Sequence, residues 1–159
     1  MRWMITTAAI TFALDQIIKV WVVHLLDLKT RLQIDVWPPY LTLRMAWNRG
    51  VNFGLGASDS DVMRWVLIAV ALAISAWVVW WVHKDAMGRL GQVFAGLLLG
   101  GAIGNVIDRL LYGAVADFLN MTCCGIANPW SFNIADAAIF VGAIGLVLFT
   151  GEKSRPKTP

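Results

Sequence analysis

Four apolar stretches dominate the chain, and each approaches the roughly 20 residues that a helix needs to cross a bilayer. They run from about Met4 to Leu26, Val62 to Val82, Leu90 to Leu111 and Asn133 to Thr150. The second is the cleanest and the third is rich in glycine. Only 14% of the residues are charged and 58% are hydrophobic, whereas a soluble domain carries about 25% charged residues. There is too little polar surface to cover a soluble globule. The fold expected is a mainly α membrane protein with four transmembrane helices. Arg2 gives the first stretch a positive start, as in a secretory leader. Asp15 interrupts its apolar run, however, and no small-x-small cleavage signal follows, so it is expected to be retained.

Orientation follows from lysine and arginine near the span ends. With four spans, Arg2, Lys84, Arg89, Lys153, Arg155 and Lys157 share one side, expected to be cytoplasmic together with both termini. Trp3, Trp65, Trp80 and Trp81 lie where an interfacial aromatic belt belongs. The net charge of +3 does not point to nucleic acid, because the basic residues are scattered. Between Asp27 and Asp61, "LQIDVW" and "YLTLRMAW" alternate with period two around Pro38-Pro39. In the second, Leu41, Leu43, Met45 and Trp47 share a face. This pattern predicts a small extracytoplasmic β-sheet on the outer membrane surface. Residues 1–152 read as one domain and 153–159 as a disordered tail. Cys123 and Cys124 are adjacent, offer no metal spacing and read as apolar filler.

Ionisable groups inside spans cost about 2.5–3.5 kcal/mol each on insertion scales, so they usually have a partner or a function. Asp15 and Lys19, four apart, are either a self-neutralising pair or part of a polar site. In "GGAIGNVIDRLLYG", Gly96, Gly100 and Gly104 make one smooth helix face. Asn105, Asp108 and Arg109 follow on the next turn, as helix–helix glue solvated near the interface or as site residues. Asp117 and Asp136 bracket a short external connection. Two carboxylates brought together share a proton, which supplies an acid and a base for water activation. Asp136 also suits a simpler role, because Asn133 is a good N-cap and Asp136 stands three residues later. His24 and His83 fall on opposite membrane sides, so a histidine metal site or a Ser-His triad is not expected. "GVNFGLGAS" lacks the Lys-Ser/Thr ending of a phosphate loop.

Five segments in order resemble the lipoprotein signal peptidase (signal peptidase II) family: "LDQIIK", "WNRGVNFG", "LGGAIGNVIDR", "VADF" and "FNIAD". The resemblance implies a four-span aspartic peptidase of the bacterial inner membrane with its active site toward the outer face. It implies cleavage of diacylglyceryl-modified prolipoproteins just before the lipidated cysteine, contact with membrane lipid, and inhibition by globomycin-type compounds. Asp117 and Asp136 become the catalytic pair. Asp15, Lys19, Asn48, Gly50, Gly101, Gly104, Asn105, Arg109 and Asn133 become supporting or substrate-binding residues. No cofactor, metal or nucleic acid is implied. The chain departs from the family where Val51-Asn52 replaces Ala-Ala, which bears on substrate fit. The competing reading is a proton- or ion-coupled transporter subunit using Asp15, Asp108 and Asp136 as relays. A third is an assembly factor that docks a partner on the glycine face.

Overall fold

The computed structural model describes residues 1–50, 61–122 and 128–149. Val51, Asn52, Cys123, Cys124 and the tail lie outside the described residues. The first apolar stretch forms α1 (Arg2–Val20), continued by one π-helical turn over Trp21–Leu25. A short helix α2 (Leu28–Arg31) leads into β1 (Gln33–Trp37) and β2 (Leu41–Asn48). Next come α3 (Asp61–Lys84), α4 (Arg89–Tyr112), β3 (Val115–Met121) and α5 (Ile134–Phe149).

The span from residue 2 to 25, α3 and α4 are each long and apolar enough to cross a membrane. The fourth expected span is α5. Among the described residues α5 has 16, roughly 24 Å of helix, and its first turn starts inside the protein, where Asn133 and Ala135 are buried. Outward faces are apolar: Val147 is 80% exposed, Phe140 67% and Ile17 64%. An apolar surface of this extent belongs against lipid. The chain is a multi-pass membrane protein.

The centre of the bundle is α4, with 61% of its apolar window buried against 28% for the first span and 22% for α3. It packs on α1, α3 and α5. Its glycines make this possible. A Cβ at Gly100 would lie 2.5 Å from the Ala8 carbonyl oxygen and 2.7 Å from Thr11 Cβ. From the other side, a Cβ at Gly142 of α5 would lie 2.6 Å from the Leu98 amide of α4. The backbones touch, which is the small-residue mode of helix packing in lipid. Gly100→Ala should therefore lower stability by roughly 1–3 kcal/mol through overpacking, although alanine is the better helix former. Thermal unfolding in detergent checks this, and an unchanged midpoint would refute the close contact.

The sheet has the order β1-β2-β3, all antiparallel. Two of its strands are those expected from the alternation. The third, β3, falls in the segment read as a plain connection. "VADFLNM" is buried on both faces over most of its length, so it carries no period-two signal. The expected alternation in β2 also fails partway. A register shift against β3 between Leu43 and Ala46 inserts an extra residue, and such a slip exchanges the two faces. Asn48 turns inward and is buried, while Trp47 is 42% exposed. Two apolar cores result. Met4, Val78, Leu98 and Leu146 fill the bundle; Val22, Leu28, Leu43 and Phe118 lie beneath the sheet.

Candidate active site

The polar residues converge where β3 meets the first turn of α5. Asn133 caps α5: its Oδ1 accepts the Asp136 amide at 2.9 Å, and Asp136 Oδ2 accepts the Asn133 amide at 3.2 Å. This is a reciprocal capping box. It leaves the Asn133 side-chain amide free to donate to Asp117 Oδ1 at 2.7 Å. One asparagine therefore holds both carboxylates, Asp136 through its backbone and Asp117 through its side chain. Capping and a polar-site role coincide in the same residues.

Asp117 is 2% exposed and Asp136 8%. Each accepts a second donor. Asn48 Nδ2 reaches Asp117 Oδ2 at 3.0 Å, and Asn105 Nδ2 reaches Asp136 Oδ1 at 2.9 Å. The bulge in β2 is what aims Asn48 at Asp117. Burial, and after it the like charge of Asp136, push the Asp117 carboxyl up to about 7; the Asn48 and Asn133 hydrogen bonds oppose the shift.

A second polar layer lies beneath. Lys19 Nζ sits 2.8 Å from Asp15 Oδ2, 2.8 Å from Asp108 Oδ2 and 3.2 Å from Asn105 Oδ1. Its three donors are all used. Asp15 Oδ1 accepts the Ala135 amide at 3.0 Å, and Asp108 Oδ2 accepts the Ala116 amide at 3.1 Å. These carboxylates thus pin the starts of α5 and β3, the segments that carry Asp136 and Asp117. Asn105 joins the layers, since its Oδ1 also accepts from Asn133 Nδ2 at 3.2 Å. Gly104 makes room for Asp15, whose Oδ2 would be 2.5 Å from an added Cβ.

Arg109 Nη2 donates to the Gly50 carbonyl at 3.0 Å, and the Gly50 amide donates to Asn48 Oδ1 at 3.1 Å. Among the described residues, the buried Arg109 Nε has no hydrogen-bond partner. An apolar cavity of about 320 Å³ opens between α3, α4 and α5, with Asn105, Arg109 and Asp136 at one wall and Leu67, Ile74 and Ile139 along its length.

The expected site residues therefore meet, with one exception. Gly101 faces the Ala135 carbonyl, 2.5 Å from an added Cβ, and serves α4–α5 packing. Asp108 and Arg109 are not solvated near an interface; they are 1% and 8% exposed. Gln16 was missed as a site residue. Its Nε2 donates to Asp15 Oδ2 at 3.1 Å and Asp108 Oδ1 at 3.2 Å. The signal was its place between Asp15 and Lys19. Among the described residues, no group of three or more His, Cys, Asp or Glu side chains is placed to hold a metal.

The family model for signal peptidase (SPase) II matches residues 7–151. A lipoprotein signal peptidase of Methylorubrum extorquens (strain PA1) is 43% identical over 94% of this chain and 85% of its own. One from Caulobacter vibrioides is 42% identical over 93% of this chain and 87% of its own. A bacterial membrane enzyme solved by the in meso method at 2.3 Å superposes with a TM-score of 0.76 at 27% identity, covering 98% of this chain and 93% of the other.

Proposed function

The chain belongs to the signal peptidase II family, and from that membership we propose an aspartic endopeptidase of diacylglyceryl-modified prolipoproteins, with Asp117 and Asp136 as its catalytic pair. It cuts just before the lipidated cysteine. The carrying observation is the single asparagine, Asn133, that holds two buried carboxylates beside a cavity open toward lipid. Nothing in the family or its relatives supports a transporter or an assembly factor.

Asp117, whose carboxyl is held up near neutrality, starts with the proton. Asp136 serves as the base. Water gives a proton to Asp136 as its oxygen attacks the scissile carbonyl. Asp117 then protonates the departing amide nitrogen and the C–N bond breaks, leaving a carboxyl on the signal peptide and an amine on the cysteine. The pair resets by returning the proton from Asp136 to Asp117 through water. The substrate helix must unwind to expose its carbonyl, and non-helical backbone at membrane depth requires a protein-lined polar cavity. Arg109 and Asn105 supply that lining, and Asn48 holds Asp117 beside it. Globomycin-type inhibitors would compete for the same space. Arg2, Lys84 and Arg89 lie at the end of the bundle away from the pair, so the site faces outward from an inner membrane with cytoplasmic termini.

The test is cleavage of a purified diacylglyceryl prolipoprotein in detergent as pH is varied. A carboxyl raised to about 7 is protonated below that pH and loses its proton above it. Activity needs that proton, so kcat/KM should fall above pH 7, approaching tenfold per pH unit. A flat profile from pH 7 to 9 would remove Asp117 as the acid. Asn133→Ala should cost about 1 kcal/mol of stability as a lost cap. It should also slow the folded enzyme on the order of 10²-fold, since both carboxylates lose their common support. Full activity in the folded fraction would leave Asn133 with capping alone.

A further inference from the structure

The end of the bundle opposite the aspartate pair carries a second constellation. A cavity of about 480 Å³ lies between the start of α1 and the α3–α4 turn, lined by Trp3, His83, Arg89 and Gln92 among others. Arg89 lies 4.0 Å and Arg2 5.3 Å from the centre of the Trp3 ring, and Lys84 Nζ lies 4.7 Å from that of Trp80. Among the described residues, no carboxylate forms an ion pair with any of these three cations. The nearby Asp85 accepts the Trp81 indole N–H at 2.7 Å. Two guanidinium groups thus gather at one ring, and among the described residues neither is paired with a carboxylate.

A second cavity of about 370 Å³ adjoins it. It is bounded by Met4, Ile5, Ala8, Ala76, Val79 and Ile103, and Met1 lines both spaces. α1 and α3 each pack on α4 but scarcely on one another, which is why the groove exists. Its one polar wall residue, Ser75, is satisfied by the Ala71 carbonyl at 2.8 Å. From Gln92 to Ile103 along α4, the two cavities extend roughly 16 Å. That matches one leaflet of a hydrocarbon core of about 30 Å.

We propose that these two cavities form one binding site for an anionic glycerophospholipid of the adjacent leaflet, its phosphate held by Arg89 at the cavity wall with the charge of Arg2 beside the same Trp3 ring, and one acyl chain laid in the groove between α1 and α3. Basic pockets between transmembrane helices take anionic headgroups for this reason. The lipid fills the seam that the two helices leave open and joins them across α4. It is distinct from the substrate, whose cavity lies on the other side of α3 and opens at the aspartate pair.

The test is native mass spectrometry of the full chain after reconstitution in vesicles of equimolar phosphatidylglycerol and phosphatidylcholine. The expected result is one phosphatidylglycerol retained per chain in preference to phosphatidylcholine. Arg2→Gln and Arg89→Gln should each lower that preference roughly fivefold. Ala76→Phe, which fills the groove from an exposed position and leaves every charge in place, should abolish retention of either lipid. Prolipoprotein cleavage by each variant reports that it is folded. Equal retention of the two lipids by the wild-type protein overturns the proposal. So does a preference unchanged in the Arg2→Gln/Arg89→Gln double variant, or retention undiminished in Ala76→Phe.

Discussion

Asp117→Asn and Asp136→Asn should each lower kcat/KM for a diacylglyceryl-modified prolipoprotein by roughly 10²- to 10⁴-fold, and the double variant should lose little more. Residues that act as a unit are not additive. Asparagine keeps the volume of aspartate and one acceptor oxygen, so each variant should fold. At position 136 the remaining oxygen can still accept the Asn133 amide, which lies 3.2 Å from the native carboxylate. The cap is then largely kept and the proton chemistry lost. If Asp136→Asn cut at the wild-type rate, Asp136 would be a helix-capping residue only. Stability adds a second readout. The raised Asp117 carboxyl favours the folded state below the ordinary carboxylate range, and that contribution is lost as pH rises through about 7. Asp117→Asn carries no such titration. Its stability should therefore gain on the wild type as pH rises from about 4 to about 7, by up to about 1.4 kcal/mol per pH unit, and the difference should stay level above about pH 8. A parallel pH dependence would mean that Asp117 ionises as freely as in the unfolded chain.

The helices were legible because length in lipid is a coarse constraint. α3 and α4 extend only a residue or two beyond the expected spans at each end. The glycine face of α4 was legible as well, since residues four apart must share a side. The sheet was legible only where one face is wet. β3 has none to spare: Ala116, Asp117 and Phe118 are all buried, so its sequence does not alternate. Asn48 was found through resemblance, whereas the alternation put it opposite Leu43 and Met45. A one-residue bulge decides its direction, and no local residue pattern announces that bulge. Asp117 and Asp136 could be paired as chemistry but not in space. Their meeting depends on Asn133, which looked sufficient as a cap and whose side-chain amide, not needed by the cap, reaches Asp117. The lower polar layer was half visible. Asp15 and Lys19 are neighbours on one helix turn, but Asp108 reaches Lys19 only because Gly100 and Gly104 bring α1 against α4.

Lys19→Met should be the most destabilising substitution in the site. Lys19 is 5% exposed and stands between two carboxylates that are 0% and 1% exposed, each 2.8 Å from its Nζ. Methionine has nearly the same length and no charge. It leaves Asp15 and Asp108 facing each other in the bundle without a cation, and breaking a buried ion pair from one side costs about 3–5 kcal/mol. For a chain of this size that corresponds to an unfolding midpoint lower by roughly 10 °C. The effect should be partly reversed by adding Asp15→Asn, which removes one of the stranded charges while an amide oxygen can still accept the Ala135 N–H, 3.0 Å from the native carboxylate. Such recovery distinguishes charge imbalance from lost packing, which a second substitution would only worsen. A Lys19→Met midpoint within about 1 kcal/mol of wild type would mean that the triad is effectively hydrated. The lower layer would then contribute little to fixing the starts of α5 and β3. If the loss is as large as expected, the same three charges that make the two spans costly to insert are what hold the segments carrying Asp136 and Asp117 in register.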